Sequence, residues 1–232
     1  MICMFVHHQK AAVLVVLKYF SPENIRDWVF IAEIITAILA LVFYKKYKST
    51  FLRYFLFVIW YSIANEVFAM YYVKHINENN LVLFNVNKVL EFSFYLFLYR
   101  SLVETKIHKK IITAFIGLYY LSVLINCFFQ NFLYEYFSNT YFVGAVFIIS
   151  SIVMYFSEIL NSEKIIYISR TCIFWLSIAV FLLYITSIPF KVIMNYYQES
   201  SVLPVIYLAN FAVVFIFCIL ISIGLIWSKA EK

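Results

Sequence analysis

VLPVIYLANFAVVFIFCILISIGLIWS, residues 202–228, runs for 27 positions without one Asp, Glu, Lys or Arg. A helix rises 1.5 Å per residue, so ~20 mostly apolar residues cross the ~30 Å hydrocarbon layer of a bilayer, and this stretch is long enough to do so. Working back from it, the same criterion finds six more runs bounded by charge, at 27–44, 51–73, 81–99, 110–129, 140–160 and 171–193. No loop between them exceeds 10 residues, which leaves no room for an extramembrane domain. The expected fold is therefore all-α: a polytopic membrane protein with seven transmembrane helices in one bundle.

Composition agrees. Of 232 residues, 65% are hydrophobic and 13% charged, and the mean hydropathy is +0.90. With only 3 Gly and 3 Pro against 26 Phe and 20 Tyr, glycine-rich nucleotide loops and disordered linkers are ruled out. The tail at 1–26 holds an apolar stretch, Ala11 to Leu17, too short to span and best suited to an interfacial helix. Residues 229–232 form a short tail after the last span.

Basic residues are retained on the cytoplasmic side of short loops. Lys45, Lys46, Lys48, Arg53, Arg100, Lys106, Lys109 and Lys110 fall on one side of the bundle, together with Lys164, Arg170, Lys229 and Lys232. The opposite side holds only Lys10, Lys18, Arg26, Lys74 and Lys191. This places the N-terminus outside and the C-terminus in the cytoplasm, in a multi-pass protein of the inner membrane. The formal charge of +6 is then a basic cytoplasmic collar, suited to anionic lipid and to a protein partner at that face, and no nucleic-acid partner is needed.

Ionisable side chains at mid-span cost ~2.5–3.5 kcal/mol each on insertion scales, so each is a site candidate. They concentrate in the first three spans: Glu33, then Asn65 and Glu66, then Asn85, Asn87, Lys88 and Glu91. With alternating helix directions these fall in the outer half or near the midplane, as do Ser187, Lys191 and Asn210. Helical spacing aligns Asn85, Lys88, Glu91, Tyr95 and Tyr99 on one face, and Tyr184, Ser187 and Lys191 on another. Pro189 removes a backbone hydrogen bond beside the second stripe and favours a kink there. The expectation is an outward-facing polar pocket, bordered by the first, second, third, sixth and seventh helices and lined by Glu33, Asn65, Glu66, Asn85, Lys88, Glu91, Ser187, Lys191 and Asn210. Its excess of carboxyl groups suits a cation, an amine or a proton. The alternative is a purely structural network in which Lys88 pairs with Glu91 or Glu66 and the asparagines bond across helices. Glu135 and Glu158, near the interfaces, read as solvated.

Several chemistries drop out. His7, His8, His75 and His108 all lie in tails or loops, so no metal site and no histidine-based proteolysis is expected. A retinal Schiff base needs a lysine in the last span, which has none. No cofactor is expected. Cys172 and Cys218 read as small apolar residues, and Cys3 and Cys127 share the outer side.

FWLSIAVFLLYITSIPFKVI at 174–193, IANEVFAMYY at 63–72 and NVNKVLEFSFYLFLYR at 85–100 resemble a family of uncharacterised small seven-span bacterial integral membrane proteins. The resemblance implies a stand-alone membrane protein, encoded in some members near signalling or defence components, and it carries over no catalytic residue. Small seven-span sugar and vitamin carriers are similar in length, but their Pro-Gln signature is absent, since Phe190 follows Pro189 and Val205 follows Pro204. The functional expectation is a non-enzymatic sensor or accessory module whose polar pocket couples to a cytosolic or membrane partner. A small carrier or channel for a cation or uncharged metabolite is the alternative. An intramembrane lipid hydrolase using Glu66 or Glu91 as general base is a third, and homo-oligomeric assembly stays open.

Overall fold

The computed structural model describes residues 22–76, 79–196 and 203–229, all helical or connecting segments. Seven long helices follow in order: α1 Pro22–Val42, α2 Phe55–His75, α3 Leu81–Leu102, α4 Lys106–Asn126, α5 Ser138–Leu160, α6 Cys172–Tyr196 and α7 Leu203–Trp227. Short 3-10 turns at Tyr44–Lys46, Phe51–Tyr54, Glu163–Ile166 and Ile168–Arg170 join them. The interfacial helix expected within 1–26 lies almost wholly outside the described residues, as do Cys3 and Ala230 to Lys232. Among the described residues, six helices are long and apolar enough to cross a membrane, and the chain is a multi-pass membrane protein. The helix that falls short is α1, which carries Arg26, Asp27 and Glu33.

The expected boundaries shift at the ends. Residues 51–54 form a 3-10 turn ahead of α2 rather than its first turn. α4 starts at Lys106, four residues before the predicted 110, because polar residues at a helix start need not be buried to be helical. α6 continues through Pro189 to Tyr196.

Six helices close a ring in the order α1, α2, α3, α5, α6, α7, each packed on the next, and α4 lies outside it against α3 and α5. The upper face holds the start of α1 and the turns after α2 and α4; the lower face holds the α1–α2, α3–α4 and α5–α6 connections and the end of α7. Hydrogen bonds tie the connections of each face together. Asn79 donates to the Tyr134 carbonyl on the upper face, at 3.2 Å; the Lys229 amide donates to the Arg170 carbonyl on the lower, at 2.9 Å.

Side-chain packing fills the part of the bundle around α3, α5 and α6. Phe92 lies against the rings of Tyr119, Tyr141 and Tyr184, with centroids 5.2–5.5 Å away. Leu96, Ile148, Ile152 and Val180 close the core around them without solvent exposure. In a bilayer this packing relies on close contact, because lipid is as apolar as leucine and no hydrophobic drive separates helix from tail. Small residues accordingly mark the seams. Ala37 and Ala40 are fully buried on α1, and the Thr36 hydroxyl joins the Ala32 carbonyl (2.8 Å) and the α7 hydroxyl of Ser222 (3.2 Å).

Glu158, expected to be solvated, is instead a structural clamp. Its carboxylate accepts from the Glu104 amide (2.6 Å) and the Thr105 amide (3.1 Å) and contacts His108 Nδ1 (2.6 Å). The start of α4 has amides without intrahelical partners, and an anion on the end of α5 satisfies them. Glu158→Ala is expected to lower stability by about 1–2 kcal/mol, the usual cost of a lost helix cap, read as a lower unfolding temperature in detergent; an unchanged temperature would show the clamp to be idle.

Candidate functional site

Inside the ring lies a cavity of about 360 Å³. Its walls come from α1, α2, α3, α6 and α7, the five helices anticipated, with Tyr141 of α5 completing the enclosure. Glu33, Asn65, Glu66, Lys88, Glu91, Ser187, Lys191 and Asn210 all line it. Asn85 does not. Its amide nitrogen donates to the Phe132 and Glu135 carbonyls (2.9 and 2.8 Å) and its oxygen accepts from the Phe137 amide (3.1 Å), so it fastens the α4–α5 connection to α3.

The charged side chains are arranged in distinct sets. Lys88 Nζ donates to Glu91 Oε2 at 2.5 Å, one helical turn along α3. Glu91 is 9% exposed, and its other oxygen accepts from the Tyr184 hydroxyl at 2.8 Å. A buried ion pair of this kind holds only when its remaining lone pairs are also bonded, and here α6 supplies the bond. Lys88 therefore pairs with Glu91, the first of the two partners anticipated for it.

Lys191 is held differently. Its ammonium donates to the Tyr136 hydroxyl at 2.8 Å and lies 4.0 and 4.3 Å from the ring centres of Tyr136 and Tyr141. Ring faces attract a desolvated cation, so aromatic groups rather than a carboxylate serve this charge. Withdrawal from solvent holds the Tyr136 phenol above its usual range, which keeps it protonated. Neither tyrosine stood out in the sequence, where 20 tyrosines are spread through every span.

Across the ring from α6, Glu33 of α1 and Glu66 of α2 bring two neighbouring carboxyl groups to the cavity wall. Two carboxyl groups placed side by side repel one another when both are ionised. Next to them, Ser62 donates to the Asn87 side-chain oxygen (3.2 Å) and Asn65 to the Leu83 carbonyl (3.3 Å), which join α2 to α3. Asn87 and Ser62 thus share the cavity wall with the predicted residues.

The lower-face basic residues serve two ends. Lys46 donates to the Leu225 and Ile226 carbonyls (2.9 and 2.8 Å) at the end of α7, where a cation complements the helix dipole. Arg100 donates to the Thr113 hydroxyl at 2.8 Å. Lys45, Lys48, Arg53, Lys106, Lys109 and Lys110 stand exposed around them.

Compared with protein family models, with curated proteins and with solved structures, the chain finds no match.

Proposed function

We propose that this protein is a non-enzymatic membrane receptor or accessory module that takes a small amine into the ring cavity. The observation that supports this is the Glu33–Glu66 pair: of the charged groups around the cavity, Lys88 and Glu91 satisfy one another and Lys191 has its tyrosines, whereas among the described residues no cation forms an ion pair with either of the two acids. An incoming cation between them offsets that repulsion and lets both carboxylates ionise. In this reading α1 is a seventh span, the upper face is exterior and the basic lower face meets the cytoplasm of an inner membrane, where its exposed lysines meet a partner protein. Ligand occupancy would then bias the packing of α1 and α2 against the rest of the ring, and a partner would read the change.

The test is thermal unfolding of the full chain in nanodiscs with methylammonium chloride against matched sodium chloride. A ligand at ten times its Kd stabilises by about 1.4 kcal/mol; wild type is expected to gain unfolding temperature with methylammonium and Glu66→Gln to gain none. Equal response of the two proteins would overturn the assignment. A carrier is the second reading, favoured by the position of Pro189 in α6 between the cavity residues Ser187 and Lys191. Methylammonium flux into vesicles, lost in Glu66→Gln, would establish it.

A further inference from the structure

The cavity is graded along the bundle axis. At 1.5 Å per residue, Lys191, Asn210, Lys88, Glu66, Ser187, Glu91 and Glu33 lie about 8–17 Å below the upper ends of their helices. Tyr95, Phe217, Ile59, Val58 and Phe55 line the same cavity about 21–30 Å down. Charge therefore occupies one band, and below it lies a largely apolar floor. Thr36 also borders the floor, but its hydroxyl is engaged in the α1–α7 seam.

Tyr95 marks the border between the two. It is 2% exposed and lines the cavity, yet its hydroxyl has no hydrogen-bond partner among the described residues. A hydroxyl that opens onto the cavity offers a hydrogen bond to a group arriving beside it. A bare metal ion or a proton would use the charged band and leave both the floor and this hydroxyl unused. The volume, about 360 Å³, falls at the small end of the ~300–1,000 Å³ range of organic-ligand pockets.

We infer that the cavity takes an amphiphilic amine, with its ammonium at Glu33 and Glu66 beside the Tyr95 hydroxyl and its hydrocarbon part in the floor formed by Phe55, Val58, Ile59 and Phe217. This rests on the amine reading above and adds the class of ligand: a primary amine carrying a short alkyl or aryl group. The two halves of the site do separate work. The carboxyl pair selects for positive charge, and the floor selects for length.

A series of n-alkylamines from methyl to octyl, added to the full chain in nanodiscs and read by thermal unfolding, tests it. The half-maximal concentration is expected to fall about fourfold per added methylene, the factor that corresponds to ~0.8 kcal/mol per buried CH₂, until the floor is filled. Alkylamines also enter bilayers more readily as they lengthen, so the floor is blocked in a second protein, Ile59→Trp, with Val58→Phe as the alternative should the first not fold. The blocked protein is expected to keep its response to methylamine and to lose the gain with chain length. Octanol, which has the tail without the charge, is expected to give no saturable shift. A chain-length gain of the same size in wild type and blocked protein, or an equal shift from octanol, would overturn the amphiphile assignment. If methylamine stabilises wild type and longer amines do no better, the amphiphile assignment fails and the small-amine reading stands; if no amine stabilises it, both fail.

Discussion

Replacing Lys88 by Met is expected to destabilise the protein by about 3 kcal/mol, at the lower bound for breaking a buried ion pair. The reason is what it leaves behind. Glu91, 9% exposed, would keep one bond from Tyr184 and lose the only cation that pairs with it among the described residues. Lys88 itself is about one-third exposed, at 33%, and that exposed part faces the cavity, which is why the lower bound applies. For a chain of this size, 3 kcal/mol corresponds to a fall of about 6–12 °C in unfolding temperature. Lys88→Met combined with Glu91→Gln removes the stranded charge while leaving an oxygen for Tyr184, and should recover most of the loss. Two outcomes would refute the account: an unchanged unfolding temperature in the single variant, or a double variant as unstable as the single.

The second large effect concerns a glycine. A Cβ on Gly224 would stand 2.5 Å from Trp175 Cβ and 3.1 Å from its Cγ. Trp175 Cβ is fixed to its own backbone, and the indole is tethered by a 2.9 Å bond from Nε1 to the Ser169 carbonyl. Rotamer change cannot relieve the contact, so α6 and α7 must separate along the seam where they pack most closely. Gly224→Ala is expected to cost about 2 kcal/mol, within the range for overpacking. Gly117→Ala is the control. Nothing lies within 4 Å of its Cβ position, and the gain in helix propensity, up to about 1 kcal/mol, should leave that protein as stable as wild type or slightly more so. Equal effects at the two glycines would show that close approach does not govern this seam.

Much of the architecture was legible because its physics is one-dimensional. The uncharged run at 202–228 reads as a membrane-crossing helix, since a helix satisfies its own backbone in lipid, and the structure forms that helix over Leu203–Trp227. The convergence of Glu33, Glu66, Lys88, Glu91 and Lys191 was legible for a related reason: helix direction alternates, so depth follows from position in each span. Lateral detail was not. Nothing in a single sequence says that Asn85 turns toward the α4–α5 connection while Lys88, one turn away, faces the cavity, because both lie on the same helical face. Glu158 was misread because two of its partners are backbone amides of the connection leading into α4, which leave no trace in side-chain patterns. Tyr136 and Tyr141 were lost among many similar residues, although they are the groups that make a lysine tolerable in the cavity wall.

Helix α4 contributes no residue to the cavity and leans on the ring from outside, with Leu118, Leu121, Leu124 and Ile125 turned outward. Its role is that of an outrigger. A fluorophore or spin label attached at Leu121 would sense the depth and fluidity of the surrounding lipid while leaving the interior undisturbed, and the same label on the exposed face of α2, at Phe68, would sit on a wall of the chamber. The difference between the two signals would separate events in the bilayer from events within the protein.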